Sequence, residues 1–179
     1  MMAEPDSLRN LVEYNGKFPK ISPLAYIDPR ALIIGNVEIG DYSSVWAGVI
    51  IRGDDTKITI GQRTNLQEST VVHSPYDFKV HIGNDVTIAH ACVIHACELE
   101  DVTCVSVGGT VFDGCSIGTG SIIDTRAFVT EGTRIPPRTL VHGNPGRPVR
   151  VITDKELRQV QMWADWYVSK TKMLLNLDQ

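Results

Sequence analysis

Aliphatic side chains recur every six residues through most of this chain, and this restricts its fold more than any other feature. The period covers seventeen positions: Ile33, Ile39, Val45, Ile51, Ile60, Leu66, Val72, Ile82, Ile88, Ile94, Leu99, Val105, Val111, Ile117, Ile123, Val129 and Ile135. An α-helix repeats every 3.6 residues and a strand every two, so a period of six indicates short strands stacked in coils, as in hexapeptide β-helices. The period breaks at residues 52–57, at residues 74–79 and at Glu98, which predicts surface loops or a tightened corner.

The two ends of the chain follow a different period. Residues 7–14 could form a short helix that ends at Gly16, and residues 153–156 read as a capping box that opens a longer helix. The apolar stripe of this longer helix contains Leu157, Val160, Ala164, Tyr167, Thr171 and Leu174 and is extended by Trp163 and Trp166. We expect the stripe to pack along the coil, and part of it could serve a neighbouring subunit. The chain therefore divides into an N-terminal segment (1–20), a β-helix (21–152) and a C-terminal helix (153–179), all within one domain.

Charge and composition exclude several functional classes. The net charge of -4 and the isoelectric point near 5.7 provide no basic surface for nucleic acid, and no apolar run could span a bilayer. The four cysteines, which lack a CxxC pair, are expected to be reduced and mostly buried. Glu4 and Asp6 argue against a transit peptide, so the predicted location is cytoplasmic.

Several motifs together resemble the γ-class carbonic anhydrase family. These motifs are Arg52-Gly53-Asp54, residues 65–68 (Asn-Leu-Gln-Glu), His73 and residues 87–95, which include His90 and His95. The similarity extends from about Ile21 to Thr153 and includes a closing segment at residues 143–150. The resemblance implies a mainly β fold, a left-handed parallel β-helix with three hexapeptides in each triangular coil and a C-terminal α-helix packed along it.

With three hexapeptides in each coil, Ile51, Val72, Ile94 and Val111 stack on one another. The residues that follow them, Arg52, His73, His95 and Phe112, then form one outward-facing column. His73 and His95 become neighbours about 4.8 Å apart along the coil axis, close enough to share one ion.

His90 belongs to the edge of a different face, so a rigid coil would direct it away from the His73–His95 pair. The resemblance implies a homotrimer in which each metal site takes His73 and His95 from one chain and His90 from the next. Three neutral histidines would bind Zn²⁺, with Fe²⁺ or Co²⁺ as alternatives, and a metal-bound hydroxide would hydrate CO₂ reversibly to bicarbonate.

The resemblance also assigns roles to the polar residues of the motifs. Gln67 is expected to hydrogen-bond the metal-bound water or the substrate, and Asp55 is a candidate proton acceptor. Arg52 and Asp54 are expected to bridge subunits through an ion pair rather than to act in catalysis. Two further residues, Asn65 and Glu68, would orient ligands or join subunits.

This chain departs from the family pattern at some positions. Ala89 replaces the usual glycine before the second metal histidine, and the segment at 74–79 is too short for the acidic loop of the archaeal type. Tyr76 or Asp77 could substitute for the glutamate of that loop, although both also suit an ordinary turn.

Other functions stay open from the sequence. One is a hexapeptide acyltransferase, which shares the coil and builds sites between subunits around a histidine. Another is a non-catalytic subunit of a larger respiratory assembly, mitochondrial complex I, with a mitochondrial location. Thioesterase activity is a third.

Overall fold

The period of six folds into a parallel β-helix of about seven turns followed by a single helix. The computed structural model describes residues 10–76 and 78–177. Each turn contributes a short strand to each of three faces, and the strands of the inner turns pair in parallel with the strands one turn above and one turn below. The predicted mainly β architecture with a C-terminal helix is confirmed.

The strands lie on three faces, and the faces carry different side chains. The first face contains β1 (Leu11–Val12), the first parts of β4 (Leu32–Ile39) and β6 (Ile50–Ile60), β8 (Val71–His73), β11 (Val93–His95), β14 (Thr110–Val111) and β17 (Phe128–Val129). The second face contains β2 (Lys20–Ile21), the last parts of β4 and β6, β9 (Val80–Ile82), β12 (Glu98–Leu99), β15 (Ser116–Ile117) and β18 (Arg134–Ile135). The third face contains β3 (Tyr26–Ile27), β5 (Ser44–Val45), β7 (Asn65–Leu66), β10 (Thr87–Ile88), β13 (Cys104–Val105), β16 (Ile122–Ile123), β19 (Thr139–His142) and the antiparallel β20 (Arg147–Val151).

The seventeen aliphatic positions form the core inside the three faces. None of them exposes more than 4% of its surface, so the period of six marks the inward side chains of the whole coil. Close packing of this kind makes the interior stiff, because a change in one rung is felt by the rungs on either side. All four cysteines lie in or beside this core, buried and unpaired as expected.

The break in the period at residues 52–57 is not a loop but part of β6. Gly53 pairs with Gly35 and Ile58 with Val37, so residues 54–57 stand opposite Asn36 alone and bulge outward. A Cβ atom on Gly35 would lie 2.5 Å from the carbonyl oxygen of Gly53, which explains why small residues meet at this position. The bulge directs two acidic side chains toward the first face.

Helix α1 (Asp154–Leu174) begins at the predicted capping box, in which Thr153 and Glu156 each bond the other's backbone. Its buried residues are Val160, Ala164, Val168 and Thr171. The predicted stripe is therefore shifted: Val168 replaces Leu174, which is 46% exposed, while Trp163 and Trp166 are 36% and 58% exposed. The edge of the Trp46 ring meets Tyr167 at 5.4 Å between centroids, which fixes α1 against the third face.

The short helix predicted over residues 7–14 is wrong in its described part. Leu11 and Val12 form strand β1, which pairs with Ile33 and Ile34 of β4; residues 7–9 lie outside the described residues. The open edge of the first turn offers unpaired backbone groups, and pairing with them satisfies more hydrogen bonds than an isolated helical turn would. Among the described residues, no helix combines the length and apolarity that a bilayer crossing requires.

Candidate metal centre

The strand register places His73 and His95 on adjacent rungs of the first face. Arg52 pairs with His73 between β6 and β8, and His73 pairs with His95 between β8 and β11. The ring of Phe112 stacks on His95 from the next rung, with centroids 5.5 Å apart and an interplanar angle of 29°. The column predicted from three hexapeptides per coil is thus present in the structure.

The two imidazoles face each other through one nitrogen each. Nδ1 of His73 lies 3.0 Å from Nε2 of His95, and both side chains are largely buried. At this separation two neutral rings share one hydrogen bond, so one nitrogen is the donor and the other the acceptor. The same separation is close to the distance of a little over 3 Å between two nitrogens bound to one zinc ion at about 2.0–2.1 Å.

A carboxylate stands at the second nitrogen of each of the three histidines. Oδ1 of Asp113 accepts a hydrogen bond from Nδ1 of His95, and Oε2 of Glu68 lies 2.8 Å from Nδ1 of His90. The third contact joins Oδ1 of Asp54 to Nε2 of His73 at 3.3 Å. Metal-binding histidines commonly donate their other ring proton to a carboxylate, which fixes the tautomer and the ring orientation.

The contact between His73 and Asp54 shows how well the residues of the site fit an ion. Both atoms are shielded from solvent, and neither has a hydrogen-bond partner among the described residues. Buried polar atoms are rarely left unpaired, because that costs about 1–3 kcal/mol. An ion on Nδ1 of His73 would leave the ring proton on Nε2, opposite Asp54, so the donor set fits a divalent cation.

Electrostatics favour the ionised carboxylate and the neutral ring. Burial works against ionisation of Asp54, but hydrogen bonds from Arg52 and the backbone, with the charges of Arg52 and His73, hold its pKa below the usual value. Burial, followed by the charge of Arg52, lowers the pKa of His73 despite the opposing effect of Asp54. A neutral imidazole is the form that binds a metal.

Asp55 belongs to the same cluster. The ligand atoms of Asp54, Asp55 and His73 all lie within 4.8 Å of one another, and within residues 10–76 and 78–177 no other group of three has this property. Tyr76 is 81% exposed, and the nearby negative charge of Asp55 raises its pKa. Asp77, the other residue considered for this loop, lies outside the described residues.

His90 is held on another edge of the coil. It follows β10 at the corner between the third and first faces, and its side chain is 52% exposed. A single chain therefore does not bring the three predicted histidines together. His90 instead lines a cavity of about 360 Å³ under helix α1, together with Gln67, Trp163, Trp166 and Tyr167.

Gln67 and Asn65 form a buried network behind His90. Nε2 of Gln67 donates to Oδ1 of Asn65 at 3.0 Å, and Nδ2 of Asn65 donates to Oγ1 of Thr87 at 2.9 Å. The network orients the Gln67 amide in the cavity. Gln67 therefore lies in the same cavity as His90, whereas Asp55 lies beside His73.

Residues that were predicted to contact another subunit also have partners within their own chain. Arg52 pairs with Asp54 of its own chain, and Glu68 pairs with His90. Bridges between copies through these residues stay predictions. Asp113 was not found from the sequence, because an Asp followed by Gly reads as an ordinary turn.

The fold and the paired imidazoles define a hexapeptide-repeat β-helix protein with a column of stacked histidines on its first face. Residues 18–53 match the model of the bacterial transferase hexapeptide (six repeats) family. A solved structure of a hexapeptide transferase family protein from Anaplasma phagocytophilum is similar, with 36% identity and a TM-score of 0.87 over 90% of this chain and 96% of that one.

Sequence relatives narrow the class further. The chain is 43% identical to the "Probable carbonic anhydrase" of Methanocaldococcus jannaschii over 86% of this chain and 97% of the relative. It is 37% identical to "Gamma carbonic anhydrase 1, mitochondrial" of Arabidopsis thaliana over 89% of this chain, and it spans 60% of the length of that plant relative. The chain belongs to the γ-class carbonic anhydrase family.

Proposed function

We propose that the chain catalyses the reversible hydration of CO₂ to bicarbonate at a Zn²⁺ ion shared between copies of a homotrimer. The observation that carries this proposal is the His73–His95 pair, whose facing nitrogens are 3.0 Å apart on adjacent rungs. Fe²⁺ and Co²⁺ are alternative ions, because neutral imidazoles accept all three.

The third histidine has to come from another copy. His90 leaves the coil at a corner, whereas His73 and His95 leave it from the first face, and the packed core holds these directions fixed. A ring in which the corner of one copy meets the first face of the next repeats the same contact three times and closes. Each site would then contain His73 and His95 from one copy and His90 from its neighbour.

The surfaces of the three faces support this arrangement. A column in which every residue but Thr110 is apolar runs along the first face beside the histidines and contains Leu32, Ile50, Val71, Val93, Thr110 and Phe128. Ile50 and Val71 are 39% and 37% exposed in the single chain. A polar column with four charged residues occupies the corresponding positions of the second face and contains Lys20, Glu38, Thr59, His81, Glu98, Ser116 and Arg134. Because α1 packs against the third face, the first face is the apolar surface left for a second copy.

The protein residues would act around the ion in distinct ways. Zn²⁺, when bound by three neutral histidines, supplies a Lewis acid that lowers the pKa of a coordinated water to about 7. Asp55 beside His73 accepts the proton that each turnover releases, and the exposed Tyr76, which senses the charge of Asp55, lies on the way to solvent. Gln67 enters the site with His90 and uses its fixed amide to orient the substrate or product.

Stopped-flow hydration of CO₂, measured on trimer of known metal content, tests the proposal. We expect turnover that depends on bound metal. The rate should fall by at least about 100-fold in His95→Ala, because one of the three proposed metal ligands is removed. His142→Ala removes an imidazole from the third face of the β-helix, away from the proposed site, and should leave the rate unchanged. Equal rates in His95→Ala and the unaltered chain would exclude the catalytic proposal.

Acyl transfer is the second candidate. The similarity to a hexapeptide transferase family protein and the cavity beside His90 favour it, because aromatic side chains form much of the wall of that cavity. Turnover of acetyl-CoA by metal-free protein would support this reading over hydration. A role as a non-catalytic respiratory subunit also stays a prediction. The cytoplasmic location stays a prediction too, since two relatives from Arabidopsis thaliana are named as mitochondrial.

A further inference from the structure

We infer that Asp113 is a positioning residue that presents Nε2 of His95 to the metal. The inference rests on the proposed function, because it assigns a role to a residue beside the proposed ligands. Oδ1 of Asp113 receives a hydrogen bond from Nδ1 of His95, and the two side chains are equally buried, at 26% and 25% exposure. No motif of the sequence pointed to this residue.

The contact selects one of two chemically different rings. A neutral imidazole carries its proton on one nitrogen and its lone pair on the other, and only the lone pair can bind an ion. A carboxylate at Nδ1 holds the proton there, because it can accept a hydrogen bond and cannot donate one when ionised. The lone pair of His95 then lies on Nε2, the atom that faces Nδ1 of His73.

The carboxylate also fixes which way round the ring stands. Phe112 stacks on the ring of His95 and is itself packed against Phe128 at 5.3 Å between centroids. Stacking restricts the tilt of the imidazole but tolerates a rotation of half a turn, because both ring faces are flat. Asp113 distinguishes these two orientations, since only one of them places Nδ1–H beside its carboxylate.

The backbone holds Asp113 firmly enough for this task. The amide of Gly132 donates to the carbonyl of Asp113 at 2.8 Å, and the amide of Gly114 donates to the carbonyl of Ala96 at 2.8 Å. Gly114 has φ +67°, the left-handed conformation that glycine adopts without strain. The turn is thus bonded to the rungs above and below, and the carboxylate needs no rearrangement to reach His95.

The competing explanation is that Asp113 serves only the turn. Asp113→Asn separates the two roles, because asparagine keeps the turn propensity but has no charge and carries an amide that can donate as well as accept. The chain also offers a matched control in His142 and Asp124, whose Nδ1 and Oδ2 lie 2.8 Å apart on the third face. Asp124→Asn changes a carboxylate–imidazole pair of the same kind, although a more exposed one, outside the proposed metal site.

The experiment measures Zn²⁺ affinity by competition with a chelator of known affinity, on the full-length chain and its variants. We expect Asp113→Asn to bind Zn²⁺ about 10–100-fold more weakly, with the melting temperature of the metal-free protein unchanged. Asp124→Asn should bind as tightly as the unaltered chain. The visible spectrum of the Co²⁺ form should also change in Asp113→Asn and remain the same in Asp124→Asn.

The outcomes separate this inference from the proposed function. If His95→Ala loses Zn²⁺ while Asp113→Asn binds it as tightly as the unaltered chain, Asp113 is only a turn residue and the metal site stands. A lower melting temperature with unchanged affinity leads to the same conclusion. If His95→Ala binds Zn²⁺ normally, the metal site itself is wrong.

Discussion

The proposed assembly of the site from two copies makes a quantitative prediction for mixed oligomers. His73→Ala removes a ligand of the first face, and His90→Ala removes the ligand of the corner, so each variant alone should lack hydration activity. In a ring, a site is intact when the copy giving its first face carries His90→Ala and the copy giving its corner carries His73→Ala. With equal amounts and random assembly, each condition holds half the time, so about a quarter of the sites are restored.

The two variants would be unfolded and refolded together, and CO₂ hydration compared with the unaltered trimer at equal chain concentration. The control is a mixture of His73→Ala with His95→Ala, since both lesions lie on the first face and no pairing of these chains gives an intact site. We expect no recovery there. If the first mixture is no more active than the two single variants, or if both mixtures recover equally, the site is not shared between copies in this way.

Four further predictions test the fold rather than the site. Ile117→Ala removes a side chain with 0% exposure and should lower the free energy of unfolding by about 2–5 kcal/mol in denaturant titration, whereas Val149→Ala, at 58% exposure, should change it by less than about 0.5 kcal/mol. Burial raises the pKa of the Cys92 thiol to about 11, so at pH 8 a thiol reagent should modify the folded chain far more slowly than the unfolded chain; equal rates would contradict the burial. Thr153→Ala breaks the capping box and should cost about 1 kcal/mol. Because Arg150 and the capping box lower the pKa of Glu156 to about 2, the contribution of its carboxylate should be present above pH 4.5 and disappear as the pH falls toward 2; a stability that does not change over that range would contradict it.

Most of the fold could be predicted from the period of six, because each inward position of a stacked coil has the same environment. Every one of the seventeen aliphatic positions is buried, and the rungs of His73 and His95 follow from counting three repeats per turn. Features that depend on a single rung were harder to find. Residues 52–57 looked like a loop because their period breaks, yet the bulge keeps them inside β6.

Contacts between positions far apart in the chain could not be predicted from the sequence for a related reason. Asp113 lies 18 residues from His95, and in the linear sequence it has the appearance of a turn residue. The buried face of α1 was shifted for a similar cause, since Tyr167 is only half-buried while Val168 faces the coil. Helical spacing defines a stripe only to within about one residue on either side, and the shape of the surface beneath decides the rest.

The same rigidity that makes the coil predictable limits what one chain can build. Side chains on one face of a close-packed coil can approach their neighbours one rung away, as His73 and His95 do, but a corner cannot turn to meet an adjacent face. Two ligands from one face leave an ion short of the three protein ligands that catalytic zinc sites use. An exposed apolar column beside the paired histidines and a corner histidine held by Glu68 supply what a neighbouring copy needs. In this fold, a three-histidine site would therefore require the association of copies, and loss of the ion should weaken the proposed trimer as well as the proposed activity.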